Sequence, residues 1–217
     1  MSLKAHNLGV AFDGNWIFRD ASLCIESGQR ISLVGPSGSG KSLFLKSLSM
    51  LHRVDEGHIE WQGQKIDGSA VPAFRSQVMY VPQRSADIDG SVEDFLATPF
   101  SFASQSGKNF DRSRAEKYFQ QLGRSDDFLS KSQRDLSGGE RQIAAIVRAM
   151  ILDPAVLLLD EPTSAMDGET AQSAESLTTA WCDESSQRST VWVTHDLQQA
   201  KRVSSSVVEM NEIGATE

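Results

Sequence analysis

A short apolar run, Ile31-Ser32-Leu33-Val34, leads straight into Gly35-Pro36-Ser37-Gly38-Ser39-Gly40-Lys41-Ser42, which reads G-x-x-x-x-G-K-S. This pairing dictates a strand that hands over to a helix through a loop glycines allow to curl tightly. Such a loop turns several backbone N–H groups inward, around an anion. The apolar helix pattern that follows (Leu43, Phe44, Leu45, Leu48, Leu51) aims its positive end at the same point. Lys41 can then reach the β- and γ-phosphates of a nucleoside triphosphate, and the Ser42 hydroxyl can ligate Mg²⁺. Without its flanks the motif would be a glycine-rich turn with a stray lysine. With them, it is a phosphate-binding loop.

The chain has 217 residues, enough for one large α/β domain or a domain with a small lobe. A formal net charge of -8 disfavours binding to nucleic acid, and no nucleic-acid partner is expected. No apolar run approaches the roughly 20 residues that span a bilayer. Residues 1–14 carry polar and charged groups throughout, unlike a secretory signal. Cys24 and Cys182 are far apart and outside any C-x-x-C, so both are read as packing residues in a reducing compartment. The expectation is a soluble, cytoplasmic chain that meets a membrane only through a partner.

Along the chain, alternation predicts short antiparallel strands at Leu8, Val10 and Phe12, at Ile17, and at Leu23 and Ile25, parted by Asp13-Gly14-Asn15 and Ser27-Gly28. Further strands are expected at His58–Trp61, Val78–Val81, Val156–Leu159 and Thr190–Val193, with a last one at Val207–Met210 before a frayed end. Helices are expected over Ser91–Leu96 and Arg112–Leu122, with Ser91 and Asp111 as N-caps, and over Glu140–Ile151. Strands alternating with helices argue for a parallel central sheet covered on both sides. Residues 84–135, rich in Ser, Asp, Gln and Phe, are read as a helical lobe inserted into a core of residues 1–83 and 136–217.

Val156-Leu157-Leu158-Leu159 ends in Asp160-Glu161. In α/β sheets the ligand crevice lies at the carboxyl ends of the strands, which brings Asp160 beside the phosphate loop as a candidate Mg²⁺ ligand. Glu161 is a candidate general base for the attacking water. Two carboxylates beside a triphosphate repel it, so the arrangement calls for a divalent cation.

Leu136-Ser137-Gly138-Gly139-Glu140-Arg141-Gln142 lies between the loop and the acidic strand. Read physically, Ser137 is an N-cap that Glu140 completes as a capping box, and the small residues expose N–H groups to an anion. In this order the motifs resemble those of the ATP-binding cassette (ABC) ATPases, over essentially the whole chain. The resemblance implies an α/β P-loop NTPase with a mixed central sheet, an N-terminal antiparallel β subdomain and an inserted helical subdomain. It implies ATP and Mg²⁺ as cofactors, with Glu161, His195, Lys41 and Gln83 as catalytic residues and Ser42, Gln83 and Asp160 at the metal. Nucleotide contacts fall on Gly35 to Ser42, on Phe12 stacking on adenine (Trp16 the runner-up), and on Ser137, Gly138, Gly139 and Asp167. The last four act across a head-to-tail homodimer in which two copies sandwich each ATP. Ser164-Ala165-Met166-Asp167 matches the family's crossing segment, with Met166 where Leu is commoner.

The function so implied is an ATP-hydrolysing subunit that energises transport through a separate integral membrane permease, at the inner face of the cell membrane. The permease would dock near Gln83 to Phe102, with Phe95, Phe100 and Phe102 as groove-lining candidates or as packing within the lobe. The segment Ser91–Phe102 is loosely similar to metal (iron) exporter ATPases. The alternative is a soluble cassette ATPase of a cytosolic complex, which the acidic charge and the lack of a coiled-coil insert disfavour.

Overall fold

The computed structural model describes residues 2–85 and 89–214. Its first two strands, β1 (Ser2–Phe12) and β2 (Asn15–Glu26), form one long hairpin. Asp13 and Gly14 between them both take positive φ, 51° and 83°, the two-residue turn whose twist suits a hairpin. The three short strands expected here are thus two long ones. Register shifts between Ala5 and Leu8 and between Leu8 and Ala11 absorb the broken alternation as bulges. A third strand, β3 (Arg30–Val34), carries the phosphate loop, and α1 (Lys41–Leu48) follows it. That helix stops short of Leu51, which is exposed.

β4 (Glu56–Trp61) and β5 (Gln64–Lys65) complete a four-stranded antiparallel sheet of order β2-β1-β4-β5. A short helix, α2 (Val71–Gln77), leads to β6 (Val78–Val81). The lobe then contributes α3 (Val92–Ala97), α4 (Arg112–Gln121) and several 3-10 turns. Ser91 and Asp111 cap these helices as expected, accepting from the N–H groups of Asp94 and Arg114. The chain returns through α5 (Gly138–Ile151), β7 (Val156–Asp160), α6 (Gly168–Asp183), β8 (Ser189–Val193), α7 (Leu197–Val203), β9 (Ser206–Glu209) and α8 (Met210–Ile213). Where a frayed end was expected, Met210 and Ile213 are buried, and residues 215–217 lie outside the described ones.

The central sheet has the order β6-β7-β8-β3-β9 and every pairing in it is parallel. It is therefore not mixed: the antiparallel strands make a sheet of their own. β7 and β8 are buried along their whole length, which explains why they read as continuous apolar runs. Their alternation divides them between two cores. Leu157, Leu159 and Trp192 pack with Ile143, Val147 and Trp181 and with the lobe. Val156, Leu158, Val191 and Val193 pack with Phe44, Leu45, Leu48 and the hairpin. Each such fully buried side chain contributes about 1.5–3 kcal/mol. Among the described residues the lobe has no separate core: Phe95, Phe119 and Phe128 share one cluster with α5 and β7. Parallel pairing leaves the carboxyl ends of β3, β6, β7 and β8 on one edge, and the residues that follow them meet there.

Candidate active site

The phosphate loop is shaped by what surrounds it. Gly40 has φ 87°, and a Cβ there would meet Ile17 and Phe18 at 3.1 Å, so the hairpin presses on the loop and requires glycine. No side chain caps α1, and no acidic residue stands in its first turn. Its first N–H groups are therefore available to an anion. The Lys41 ammonium is buried and donates to the carbonyls of Gly35 at 2.8 Å and Pro36 at 2.6 Å, with the Ser39 hydroxyl at 3.4 Å. Burial pushes its pKa down, while Glu161 and Asp160 pull it up.

Asp160 ends β7 at 3% exposure. Its Oδ1 accepts from the Ser42 hydroxyl at 2.9 Å and its Oδ2 from the Tyr80 hydroxyl at 2.8 Å. Burial, followed by the hydrogen bond to Asp160, raises the Tyr80 phenol above its ordinary pKa.

Glu161 would point to the opposite face if β7 simply continued. Instead its φ is 42°, a left-handed turn uncommon outside glycine. The turn brings the carboxylate into the cleft above the loop. There its Oε2 accepts from Gln83 Nε2 at 3.1 Å and stands 3.7 Å from His195 Nδ1. One cleft of about 610 Å³ is lined by Ser37, Gly38, Gly40, Lys41, Ser42, Leu43, Gln83, Glu161 and His195. Candidate residues scattered over 159 positions of sequence, from Ser37 to His195, thus converge on one space.

The donor set suits Mg²⁺. Ser42 and Asp160 offer hard oxygens held 2.9 Å apart, and among the described residues no group of three or more His, Cys, Asp or Glu could hold a metal. Phosphate and water oxygens would supply its remaining ligands, the usual manner for this ion.

Other candidates lie elsewhere. Phe12 is half exposed, meets His52 edge-on at 5.8 Å between ring centroids, and does not line the cleft. Trp16 already carries the Arg19 guanidinium, 4.6 Å from its ring centroid. Ser137, Gly138, Gly139 and Asp167 do not line the cleft either. Ser137 and Glu140 form the expected capping box, with Ser137 Oγ accepting from the Glu140 N–H at 3.2 Å and Glu140 Oε2 from the Ser137 N–H at 2.9 Å. A Cβ on Gly139 would lie 3.0 Å from the Ala165 carbonyl oxygen, so the 164–167 segment packs directly on the start of α5. The Asp167 carboxylate caps α6, accepting from the Thr170 N–H at 2.9 Å and hydroxyl at 2.8 Å, and these bonds lower its pKa.

Two residues of the site's surroundings escaped sequence reasoning. One is Tyr80. The other is Gln142, at 1% exposure, whose Nε2 donates to the Pro82 carbonyl at 2.7 Å and whose Oε1 accepts from Ser85 at 3.3 Å. It fastens α5 to the segment that carries Gln83. The available signal was the same for both: a polar group inside an apolar pattern needs a partner.

A protein-family model described as ABC transporter matches residues 18–164. The chain belongs to the ABC transporter family. Among its relatives, an iron(III) import ATP-binding protein, FbpC 2 of Pectobacterium atrosepticum, is 31% identical over 97% of this chain and 60% of its own length. HisP of Salmonella typhimurium, a histidine/lysine/arginine/ornithine transport ATP-binding protein, is 32% identical over 97% of this chain and 86% of its own. The chain thus spans well under two thirds of the first relative and most of the second. The dimeric post-hydrolysis structure of the cassette MJ0796, bound to ADP and Pi, superposes with a TM-score of 0.85 at 25% identity, over 99% of this chain and 97% of that one. FbpC 2 is named for import, which corrects the loose likeness to metal exporters, while the ATP-bound structure of a bacterial Atm1-family ABC exporter superposes with a TM-score of 0.81 at 26% identity, over 96% of this chain and 37% of that one. Membership accounts for the two sheets and the lobe together, and for the order of loop, signature and acidic strand.

Proposed function

We propose that this chain binds ATP with Mg²⁺, hydrolyses it between two copies of itself, and drives solute transport through a separate membrane permease. The observation that carries the reading is the convergence on Glu161: its Oε2 receives Gln83 and faces His195 in the cleft that also holds Lys41. Lys41 and the N-terminus of α1 bind the β- and γ-phosphates. Bound Mg²⁺ supplies neutralisation of the charge on the phosphates as the bond between them breaks. Glu161 takes the proton of the water that attacks the γ-phosphorus, and ADP leaves with the bridging oxygen. Gln83 and His195 hold the carboxylate against rotation and border the γ-phosphate position.

The signature is outside the cleft of its own chain, so a second copy would supply it. The dimeric cassette MJ0796 supports that arrangement. For the permease we propose the groove of about 410 Å³ between β6, α2, the lobe and α5, bordered by Leu51, Pro72, Phe102 and Arg148. Phe102 is 57% and Leu51 52% exposed, an apolar rim open to a partner. Of the other phenylalanines expected there, Phe95 is instead buried in the lobe and Phe100 packs against its cluster. Gln83 follows β6 closely, so the groove and the hydrolytic cleft share one short segment. No helix among the described residues is long and apolar enough to cross a membrane; the proposed position, at the inner membrane face, comes through the permease. The importer relatives favour uptake as the direction.

Steady-state phosphate release tests the reading. Glu161→Gln should lower turnover by about 100-fold or more, the scale of a lost general base, while ATP still binds. Unchanged turnover in that variant would overturn the assignment.

A further inference from the structure

We infer that Tyr80 is a positioning residue for the metal-binding carboxylate: its hydroxyl fixes the rotation of Asp160 so that Oδ1 alone faces Ser42 and the cation. The inference rests on the ATP–Mg²⁺ reading above. It starts from register. Tyr80 on β6 pairs with Leu158 on the parallel strand β7. Side chains two apart on a strand share a face, so Leu158 and Asp160 stand in line on the side where Tyr80 also packs. Two residues of strand advance about 6.6 Å, a distance a phenol covers and a shorter side chain does not. The hydroxyl consequently arrives at Asp160 Oδ2, at 2.8 Å.

The consequence follows from the geometry of a carboxylate. Asp160 is almost wholly buried, and its two oxygens have different neighbours: Ser42 on Oδ1, Tyr80 on Oδ2. A carboxylate held at one oxygen only can turn about its last torsion, which is soft. Held at both, it presents a single lone-pair edge to the loop. When Ser42 turns its oxygen to a cation, the Tyr80 bond is the one that remains to keep Oδ1 aimed. No backbone N–H is needed for this task, and the ring itself belongs to the packing beside Leu158. Tyr80 therefore keeps the Asp160 oxygens distinct without touching nucleotide or metal.

Tyr80→Phe removes the hydroxyl and keeps the ring. Mn²⁺ is the probe, titrated by electron paramagnetic resonance into the full-length chain with saturating ADP. Loss of an outer partner of a metal ligand lowers metal affinity by roughly tenfold or more, and that weakening is expected here, with metal-free ADP affinity and the melting temperature within error of the parent. Asp160→Asn supplies the second arm. In that background Tyr80→Phe should have no further effect on Mn²⁺, because the two side chains act as one unit. Equal Mn²⁺ affinity of the parent and Tyr80→Phe overturns the positioning role, as do independent, additive losses in the double variant. Failure of the parent itself to bind Mn²⁺ with ADP would instead refute the underlying nucleotide site, and is read from the same titration. If Tyr80→Phe melts lower, Tyr80→Leu separates ring from hydroxyl: a packing role predicts stability loss that tracks ring removal while Mn²⁺ affinity stays at the parent value in Tyr80→Phe.

Discussion

Lys41 illustrates how one side chain serves both the loop and its ligand. Its ammonium is held by the Gly35 and Pro36 carbonyls, so the residue proposed to meet the phosphates also pins the loop that would surround them. Charge-assisted hydrogen bonds are worth about 1.5–3 kcal/mol each, and Lys41→Ala should weaken ATP binding by roughly 10- to 100-fold, as calorimetric titration would reveal. Unaltered affinity would contradict the loop assignment. The two thiols give an independent test of residue placement. Cys24, read in sequence as a packing residue, is exposed on β2, while Cys182 is buried and its thiol is pushed up to about 11 by burial. A thiol reagent on the native protein should label Cys24 and reach Cys182 only on unfolding; equal labelling rates would refute that difference. At this scale the sequence was readable wherever function needs residues contiguous in the chain, as in Gly35 to Ser42. It was not readable where function needs a turn in the backbone or a neighbour from another strand. Nothing in Asp160-Glu161 announces the φ of 42° that sends both carboxylates to one side, and nothing in Val78–Val81 names Asp160 as the partner of Tyr80.

The elements matter as levers between sites. α5 begins at the signature, packs against the 164–167 segment through Gly139, and grips the Pro82 carbonyl through Gln142. A hydrogen bond thereby ties α5 to the segment that carries Gln83. Gln142→Leu would leave that carbonyl without its donor, a loss of about 1–3 kcal/mol, visible as a lower chemical-denaturation midpoint. The same variant should bind ATP normally and turn it over more slowly, because Gln83 is no longer fastened. Normal turnover would show that α5 and the Gln83 segment act independently. The strong helices and the buried strands were legible through their caps and apolar runs. The hairpin was not, because bulges break the alternation from which strand length is read. The separation of the sheets was legible, in alternating antiparallel strands at the start and continuous apolar ones later, although the central sheet implied by the resemblance was mixed and the one formed is parallel. The phenylalanines of the lobe show the same limit: Phe95 is interior and Phe102 exposed, where both were candidates for one groove.

Across the whole molecule, the cleft and the signature belong to different surfaces of one chain. Ser137 to Gly139 start α5, which follows the lobe, while Lys41, Glu161 and His195 line the cleft at the edge of the central sheet. A complete site, as proposed, would take a second copy, with the bound nucleotide bridging the pair. Each copy carries a net charge of -8, so association should be weak without ligand and at low salt. In this proposal the γ-phosphate would give the two surfaces a common anion to hold, and its cleavage would release them. Ser137→Arg should fill the anion site with a bulky side chain, preventing pairing while leaving single-chain ATP binding intact. The most direct test is the solution mass of Glu161→Gln by light scattering, with and without ATP and Mg²⁺. The account predicts a doubling of mass with the nucleotide, reversed in the Glu161→Gln, Ser137→Arg double variant. A chain saturated with ATP–Mg²⁺ that keeps its single mass would contradict it.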